Sequence, residues 1–295
     1  MKILITGGNG QLGNSIRALV PGFPDHEFIF TDVEDLNITD SGQLENYFSK
    51  ESINVCINCA GYTAVDRAEK ERDLAFKLNR DAVGLLRKVT RKHKSYLIHI
   101  STDYVFNGQN WNPYFELDDT TAASVYGQSK AAGEKELLEC DKCMIIRTSW
   151  LYSEYGKNFF KTMIDLMQTR SQLTVVNDQV GTPTYAGDLA KAILKIITEI
   201  NNDNFVPGIF HFSNEGVASW YDFAWEIARI SGSVCLIDPV ETHEYPLPAP
   251  RPAYSVLNKS RIKKVYGVSI PYWRESLQEC YEKYKIIKSK NLQND

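Results

Sequence analysis

The chain has 295 residues, with 33 Lys and Arg against 37 Asp and Glu, 43% hydrophobic and 24% charged residues. A net charge of −4 supplies no positive field to gather phosphate backbones, which argues against a nucleic-acid partner, and the ordinary composition argues against disorder. No apolar run approaches the ~18 residues that span a bilayer, and the amino terminus enters a strand with no basic and apolar leader, so a cytoplasmic protein with no membrane partner is expected.

The first half alternates short apolar runs with helical patterns. Strands are predicted at 2–6, 27–32, 54–59, 96–102 and 143–150, and helices at 12–20, 41–50, 67–94 and 126–140. In the third helix Leu74, Ala75, Leu78, Ala82, Leu85, Leu86 and Val89 recur on one helical face. Repeated strand–helix–strand order with fully apolar strands predicts an α/β fold, a doubly wound parallel sheet, because right-handed crossovers place helices on both faces. Beyond residue 150 the pattern is less regular, with helices at 158–169, 188–200 and 220–231 and apolar runs at 173–176 and 208–213. Residues 238–252 hold five of the eleven prolines and are expected to form an ordered loop without regular ladders. The expected organisation is a dinucleotide-binding domain over 1–150, completed by elements around 171–200, then a smaller substrate lobe over 151–290 and a flexible tail over 288–295.

The pairs Cys56/Cys59 and Cys140/Cys143 imitate a zinc-ligand pattern. The first pair lies in a predicted strand, where residues three apart point to opposite faces, and about 80 residues separate the pairs against ~15–20 in ribbon sites. No metal is expected, and the cysteines read as reduced structural thiols.

Three motifs carry chemistry. The first strand ends in Thr6-Gly7-Gly8-Asn9-Gly10-Gln11-Leu12-Gly13 and runs directly into a helix. A pyrophosphate approaches backbone only where no Cβ intrudes, and the helix dipole then favours the anion. Asp32 closes the second strand and suits a ribose diol while repelling a 2′-phosphate. Next, Tyr126 and Lys130 stand at i and i+4 on one helical face. A phenol with an unperturbed pKa of about 10 needs adjacent positive charge for acid–base work near neutrality. Ser101 and Thr102 place hydroxyls at the carboxyl end of a central strand and face opposite sides; Thr102 is the chosen donor to a substrate carbonyl and Ser101 its structural support. Each motif has a plainer reading: a ligand-free turn, a solvated lysine beside a packed tyrosine, a satisfied turn hydroxyl.

Together these residues resemble the extended short-chain dehydrogenase/reductase superfamily, which joins T-G-x-x-G-x-x-G to a hydroxyl, tyrosine and lysine triad. Segments GQLG (10–13), NCAGYTAVDRAE (58–69), STDYVF (101–106), YGQSK (126–130), RTSW (147–150), DQVGTPT (178–184) and RPAYSVL (251–257) sharpen this to a resemblance to the dTDP-4-dehydrorhamnose reductase family over nearly the whole chain. The resemblance implies a Rossmann-like fold and hydride transfer from NADPH or NADH to the C4 ketone of a dTDP-bound 6-deoxy-4-keto-hexose. The product would be dTDP-L-rhamnose, a cell-surface polysaccharide precursor, made by a monomer or homodimer. It implies Thr102 as hydrogen-bond donor to the carbonyl, Tyr126 as the acid, and Lys130 as the group that orients the nicotinamide ribose and lowers the Tyr126 pKa. Gly7, Gly10, Gln11, Leu12 and Gly13 would hold the pyrophosphate, Asp32 the adenosine ribose, and Asn37 and Ile38 the adenine. Cys59, Ala60, Gly61, Tyr62 and Asn79 would flank the cofactor's inner length. For the dTDP-sugar the family pattern points to Asp103, Tyr104, Val105, Trp150 and Arg251; a flat indole suits a sugar face, and a guanidinium fork fits a diphosphate.

The chain departs from the pattern at Cys59 and Gly61, where alanine is usual, and at Asn37, where aspartate is common. Asn14, Ser15 and Gly187 stand where some members carry carboxylates for Mg²⁺, so Mg²⁺ is not supported. Two competing readings share the fold: a non-catalytic nucleotide-binding regulatory subunit like the beta subunit of methionine adenosyltransferase, and a nucleotide-sugar epimerase or dehydratase. The set Thr102, Tyr126 and Lys130 argues against the first, because a scaffold has no chemical need for that spacing.

Overall fold

The computed structural model describes residues 1–292, with side chains through residue 290. Strands that are apolar on both faces must be covered on both faces, and a six-stranded parallel sheet does this in the order β10-β5-β4-β3-β1-β2. Its strands are β1 (Lys2–Thr6), β2 (Glu27–Thr31), β3 (Val55–Asn58), β4 (Tyr96–Thr102), β5 (Cys143–Thr148) and, after the short β6 (Leu151–Tyr152), β7 (Gln172–Val176), β8 (Val180–Gly181) and β9 (Thr184–Tyr185), the last strand β10 (Gly208–His211). Alternate residues divide between two cores. Ile3, Ile5, Val55, Ile57, Ile98, Met144 and Ile146 meet α1 (Gln11–Leu19) and, much later in the chain, α8 (Ala186–Asn201). Leu4, Cys56, Leu97, Cys143 and Ile145 pack with α2 (Ser41–Glu51) and the later α5 (Ala82–Lys92) and α6 (Val125–Leu137) on the other face. The fold is the doubly wound α/β type.

The predicted third helix is three pieces: α3 (Val65–Ala68), α4 (Arg72–Phe76) and α5, the last two joined by a π turn over Lys77–Asp81. The apolar periodicity runs through the break, but Asn79 in the π turn is buried and turned to the loop after β3. A third core joins α7 (Phe159–Thr169), β7, α9 (Trp220–Ser231) and α11 (Trp273–Leu292) around Phe160, Phe223 and Trp273.

Several expectations are corrected here. The element at Gln172–Val176 does not join the central sheet; it pairs in parallel with β12 (Leu236–Val240), and β10 fills the sixth place. Residues 238–240 are therefore strand, not loop, and Pro239 is tolerated because a two-stranded sheet leaves each strand a free edge. The chain forms α10 (Ser260–Tyr266) and then α11, which continues through 288–292 where a flexible tail is expected; residues 293–295 lie outside the described residues. Cys140 and Cys143 are not reduced thiols but form a disulfide between the end of α6 and the start of β5, the turn bringing their Cα atoms to 5.2 Å. Cys56, Cys59, Cys235 and Cys280 are free.

Two buried histidines are expected to make the sheet acid-sensitive. Burial pushes His99 well below the usual imidazole value, helped by Lys130, and pushes His211 down to about 3, helped by Arg147. Each ring binds fewer protons folded than unfolded. Its contribution is complete above the unfolded value of about 6.5 and is lost as pH falls below it toward the folded value. Asp103, which burial pushes up to about 6, offsets part of this at pH below 6. Denaturant titrations between pH 6.5 and 4 are expected to show a flatter loss for His211→Gln than for the parent, by up to about 1.4 kcal/mol per pH unit. The Gln side chain retains an acceptor for the Arg147 Nη1 that now faces His211 Nε2 at 3.3 Å. Equal slopes would contradict the assignment.

Candidate active site

In a doubly wound sheet the strand order reverses at one point, and the carboxyl ends beside it form a crevice. Here that point lies between β1 and β3, and a cavity of about 850 Å³ opens there and runs along the ends of β4 and β5. Gly7 has φ +66°, and a Cβ on it would come within 2.8 Å of the Ala60 amide nitrogen, so only glycine lets the β1–α1 loop lie against the loop after β3. The Gly10 amide donates to the Gly7 carbonyl at 3.0 Å, closing the turn just before the N-terminus of α1. Asp32 ends this wall: its carboxylate accepts from the Asn9 amide at 3.2 Å and the Val33 amide at 3.0 Å.

Helix α6 supplies the other wall. Ser124 caps it by accepting from the Gly127 amide, and the Glu69 carboxylate accepts from the Val125 amide at 2.9 Å. One turn apart on its inner face, Tyr126, Lys130 and Glu134 are all buried. Lys130 Nζ donates to the Ile100 carbonyl at 2.6 Å and lies 3.3 Å from His99 Nε2. Burial pushes the Lys130 ammonium down to about 8, against the opposing charges of Glu134 and Cys59. Burial also pushes the Tyr126 phenol up to about 12, the Thr102 hydroxyl pulling it down and the Asp103 carboxylate up. In the chain alone desolvation dominates at Tyr126, and the Lys130 ammonium is turned to Ile100 and His99. Thr102 Oγ1 donates to Asp103 Oδ1 at 2.9 Å and accepts from the Tyr104 amide at 3.2 Å. Asp103 Oδ2 is buried with no hydrogen-bond partner among the described residues. Behind Ser101, Arg147 grips Glu134 with three hydrogen bonds of 2.9, 3.2 and 2.7 Å.

Most of the residues singled out in the sequence meet in this cavity. Gly7, Gly10, Gln11, Leu12, Asp32, Asn37, Ile38, Cys59, Ala60 and Gly61 line one part, and Thr102, Asp103, Tyr104, Tyr126, Lys130 and Trp150 line the other. Five do not line it. Gly13 lies behind the loop, where a Cβ would meet the Gly8 carbonyl oxygen at 2.6 Å. Tyr62 and Asn79 form a support: the Asn79 side chain accepts from the Tyr62 amide at 2.8 Å and donates to its carbonyl at 3.0 Å, fixing the 59–62 loop over Lys130. Val105 is in a separate core with Phe106, Tyr114, Ala131 and Leu257. Arg251 is half-buried, with Nη2 2.8 Å from Asp66 Oδ2 and Nη1 donating to the Ala249 carbonyl. The wall also includes residues not foreseen, among them Lys157, Asn158 and Trp220. Asn158 and Ser153 both donate to Gln11 Oε1, at 2.9 and 3.1 Å, tying the glycine loop to the later chain. Trp220 stacks on Trp150 with ring centroids 3.7 Å apart, so one indole face is already covered. The stacking is set by tertiary packing and has no local sequence signal. Among the described residues no group of three or more His, Cys, Asp or Glu is placed to hold a metal.

Comparison with known proteins gives the family and agrees with this fold. The family described as the RmlD substrate binding domain matches residues 1–286. A dTDP-4-dehydrorhamnose reductase of Aggregatibacter actinomycetemcomitans is 39% identical over 285 residues, covering 94% of this chain and 97% of that protein. The chain belongs to the dTDP-4-dehydrorhamnose reductase family. The solved dTDP-4-dehydrorhamnose reductase of Clostridium acetobutylicum is 43% identical with a TM-score of 0.92, over 97% of this chain and 100% of that one. That of Bacillus anthracis, in complex with NADP, is 37% identical with a TM-score of 0.90, over 96% and 99%.

Proposed function

We propose that this dTDP-4-dehydrorhamnose reductase family member reduces the C4 ketone of dTDP-4-dehydro-L-rhamnose to dTDP-L-rhamnose, using NADPH or NADH. The observation that carries the reading is the meeting of Thr102, Tyr126 and Lys130 in one cavity with the Gly7–Gly10 loop. The residues fit a dinucleotide: the Cβ-free approach at Gly7, the N-terminus of α1 and Asp32 lie along one wall in the order that a pyrophosphate and an adenosine ribose require. A reduced nicotinamide bound there supplies the hydride. The chain's own task is the oxygen. Thr102 turns its hydroxyl from Asp103 to the carbonyl oxygen, and Tyr126, fully protonated at neutral pH because burial holds its pKa high, delivers the proton as negative charge builds there. Lys130 provides the positive charge beneath them, oriented by Ile100 and His99. Trp150, Tyr104 and Asp103 form the sugar-side wall, and Arg251 serves the diphosphate by exchanging it for Asp66. The reading leaves the protein as a monomer or a homodimer. The reading includes a cytoplasmic location; no helix among the described residues is long and apolar enough to cross a membrane.

A coupled assay tests it. Starting from dTDP-4-keto-6-deoxyglucose, the reduced-nicotinamide absorbance is expected to fall only when the upstream epimerase and this protein are both present. Sugar turnover with no net fall would mark an epimerase or dehydratase that recycles its cofactor, and no turnover at all would favour the non-catalytic reading.

Cofactor choice follows from Asp32. Its carboxylate repels a 2′-phosphate without closing the site to it, so kcat/KM is expected to be higher with NADH while NADPH still works. Asp32→Asn is expected to move the ratio toward NADPH. A strong NADPH preference in the parent protein would contradict this role.

A further inference from the structure

We infer that a row of buried polar side chains, Thr6, Asn58 and His99, positions Lys130 and keeps it charged, which makes His99 and Asn58 positioning residues; this rests on the proposed site, in which Lys130 is the working cation. Parallel register places Thr6 opposite Asn58 and Asn58 opposite His99. Side chains alternate along each strand, so all three point to the same face as Leu4, Cys56 and Leu97, the face that α6 covers. Apolar side chains would pack there without cost. All three are instead at most 1% exposed and must find partners inside the protein. Thr6 Oγ1 and Asn58 Oδ1 are 2.7 Å apart, Asn58 Nδ2 and His99 Nδ1 2.9 Å, and His99 Nε2 and Lys130 Nζ 3.3 Å.

The same atom positions admit two polarities of this row, because a carboxamide presents a donor or an acceptor according to which way it is turned. With the Asn58 nitrogen toward His99, as placed, a neutral ring carries its proton on Nε2 and faces Lys130 as a donor; only an unprotonated amine can accept it. An ammonium has donors alone. Against Lys130 in its charged form, Nε2 must accept, the ring proton must sit on Nδ1, and Asn58 must turn its carbonyl oxygen to His99 and its nitrogen to Thr6. The row then stabilises the ammonium by accepting from it, as the Ile100 carbonyl does on the other side. The other groups facing Lys130 are Glu134 on its own helix, the Cys59 thiol at the end of β3, and Gly61, behind which stands neutral Asn79. His99 stays neutral throughout, since burial disfavours its cation.

Nitrogen NMR on the intact protein with labelled histidine tests this without turnover. At pH 7 the His99 signals, identified by their loss in His99→Gln, are expected to show the proton on Nδ1, crossing to Nε2 as pH rises through the Lys130 titration at about 8. A proton on Nε2 at pH 7 overturns the inference. In turnover, His99→Leu removes an acceptor from the ammonium and is expected to lower the alkaline limb of kcat/KM by about one pH unit. His99→Gln keeps an acceptor and should leave the limb in place. A limb unmoved by His99→Leu, or shifted as far by His99→Gln, also overturns it. Should the protein reduce no sugar ketone, the tautomer result still stands, so the two failures are told apart.

Discussion

Tyr126→Phe is expected to lower kcat by about 10²–10⁴-fold while leaving dinucleotide binding within a few-fold of the parent. The substitution removes one hydroxyl from a buried ring whose edge packs against Tyr104 at 5.5 Å between centroids, and that packing survives. What it takes away is the phenol one helical turn from Lys130 in the cavity, which burial keeps protonated up to about 12. Thr102 does not replace it, because a hydroxyl that donates a hydrogen bond is a poor proton source near neutrality. Initial rates at saturating cofactor, with fluorescence titration of the dinucleotide, separate the two effects. A variant that keeps more than a tenth of the parent kcat would remove Tyr126 from the role of acid, and one that loses dinucleotide binding would point to a structural part instead.

Arg147→Met is expected to cost about 3–5 kcal/mol of folding stability. Arg147 and Glu134 are each at most 3% exposed, and they meet through a bidentate pair. Arg147 also donates to the Glu116 carbonyl, and Ser101 donates to Glu134. Removing the guanidinium leaves a carboxylate in the interior with one hydroxyl for company, and an uncompensated buried charge is far more costly than a missing pair. The double change Arg147→Met with Glu134→Gln should therefore recover a substantial part of the loss. Chemical denaturation of the parent, both single variants and the double variant gives the coupling directly. A single variant within 1 kcal/mol of the parent, or a double variant no better than Arg147→Met, would contradict this. Because Glu134 stands one turn beyond Lys130 on α6 and raises its pKa, Glu134→Gln is also expected to depress turnover at alkaline pH.

The central sheet was legible because β1, β3, β4 and β5 are short, apolar on both faces and punctuated by turn residues, a pattern with few solutions. The glycine loop, Tyr126, Lys130 and Thr102 stood out by residue type and spacing, and the fold brings them to one cavity. Elsewhere the physics is not local. Leu78 and Ala82 continue one helical stripe, so periodicity averages over the π turn that lets Asn79 hold Tyr62. Pro239 argues against a strand until a two-stranded sheet with free edges is known. Helix α11 has exposed polar faces and only a few buried positions such as Leu277 and Cys280, which makes its end read as tail. Asn58 and His99 are ordinary polar residues in two separate runs; their alignment with Thr6 exists only once the register is fixed. Arg251 has the right chemistry for a diphosphate, yet a sequence cannot reveal that Asp66, 185 residues away, is its partner.

Isotope transfer reads the chemistry at its destination. With a reduced cofactor carrying deuterium at the transferring position, the label is expected at C4 of the deoxysugar, the carbon whose oxygen would rest between Thr102 and Tyr126. Product with the label at another carbon, or with none, would contradict the assignment of this cavity.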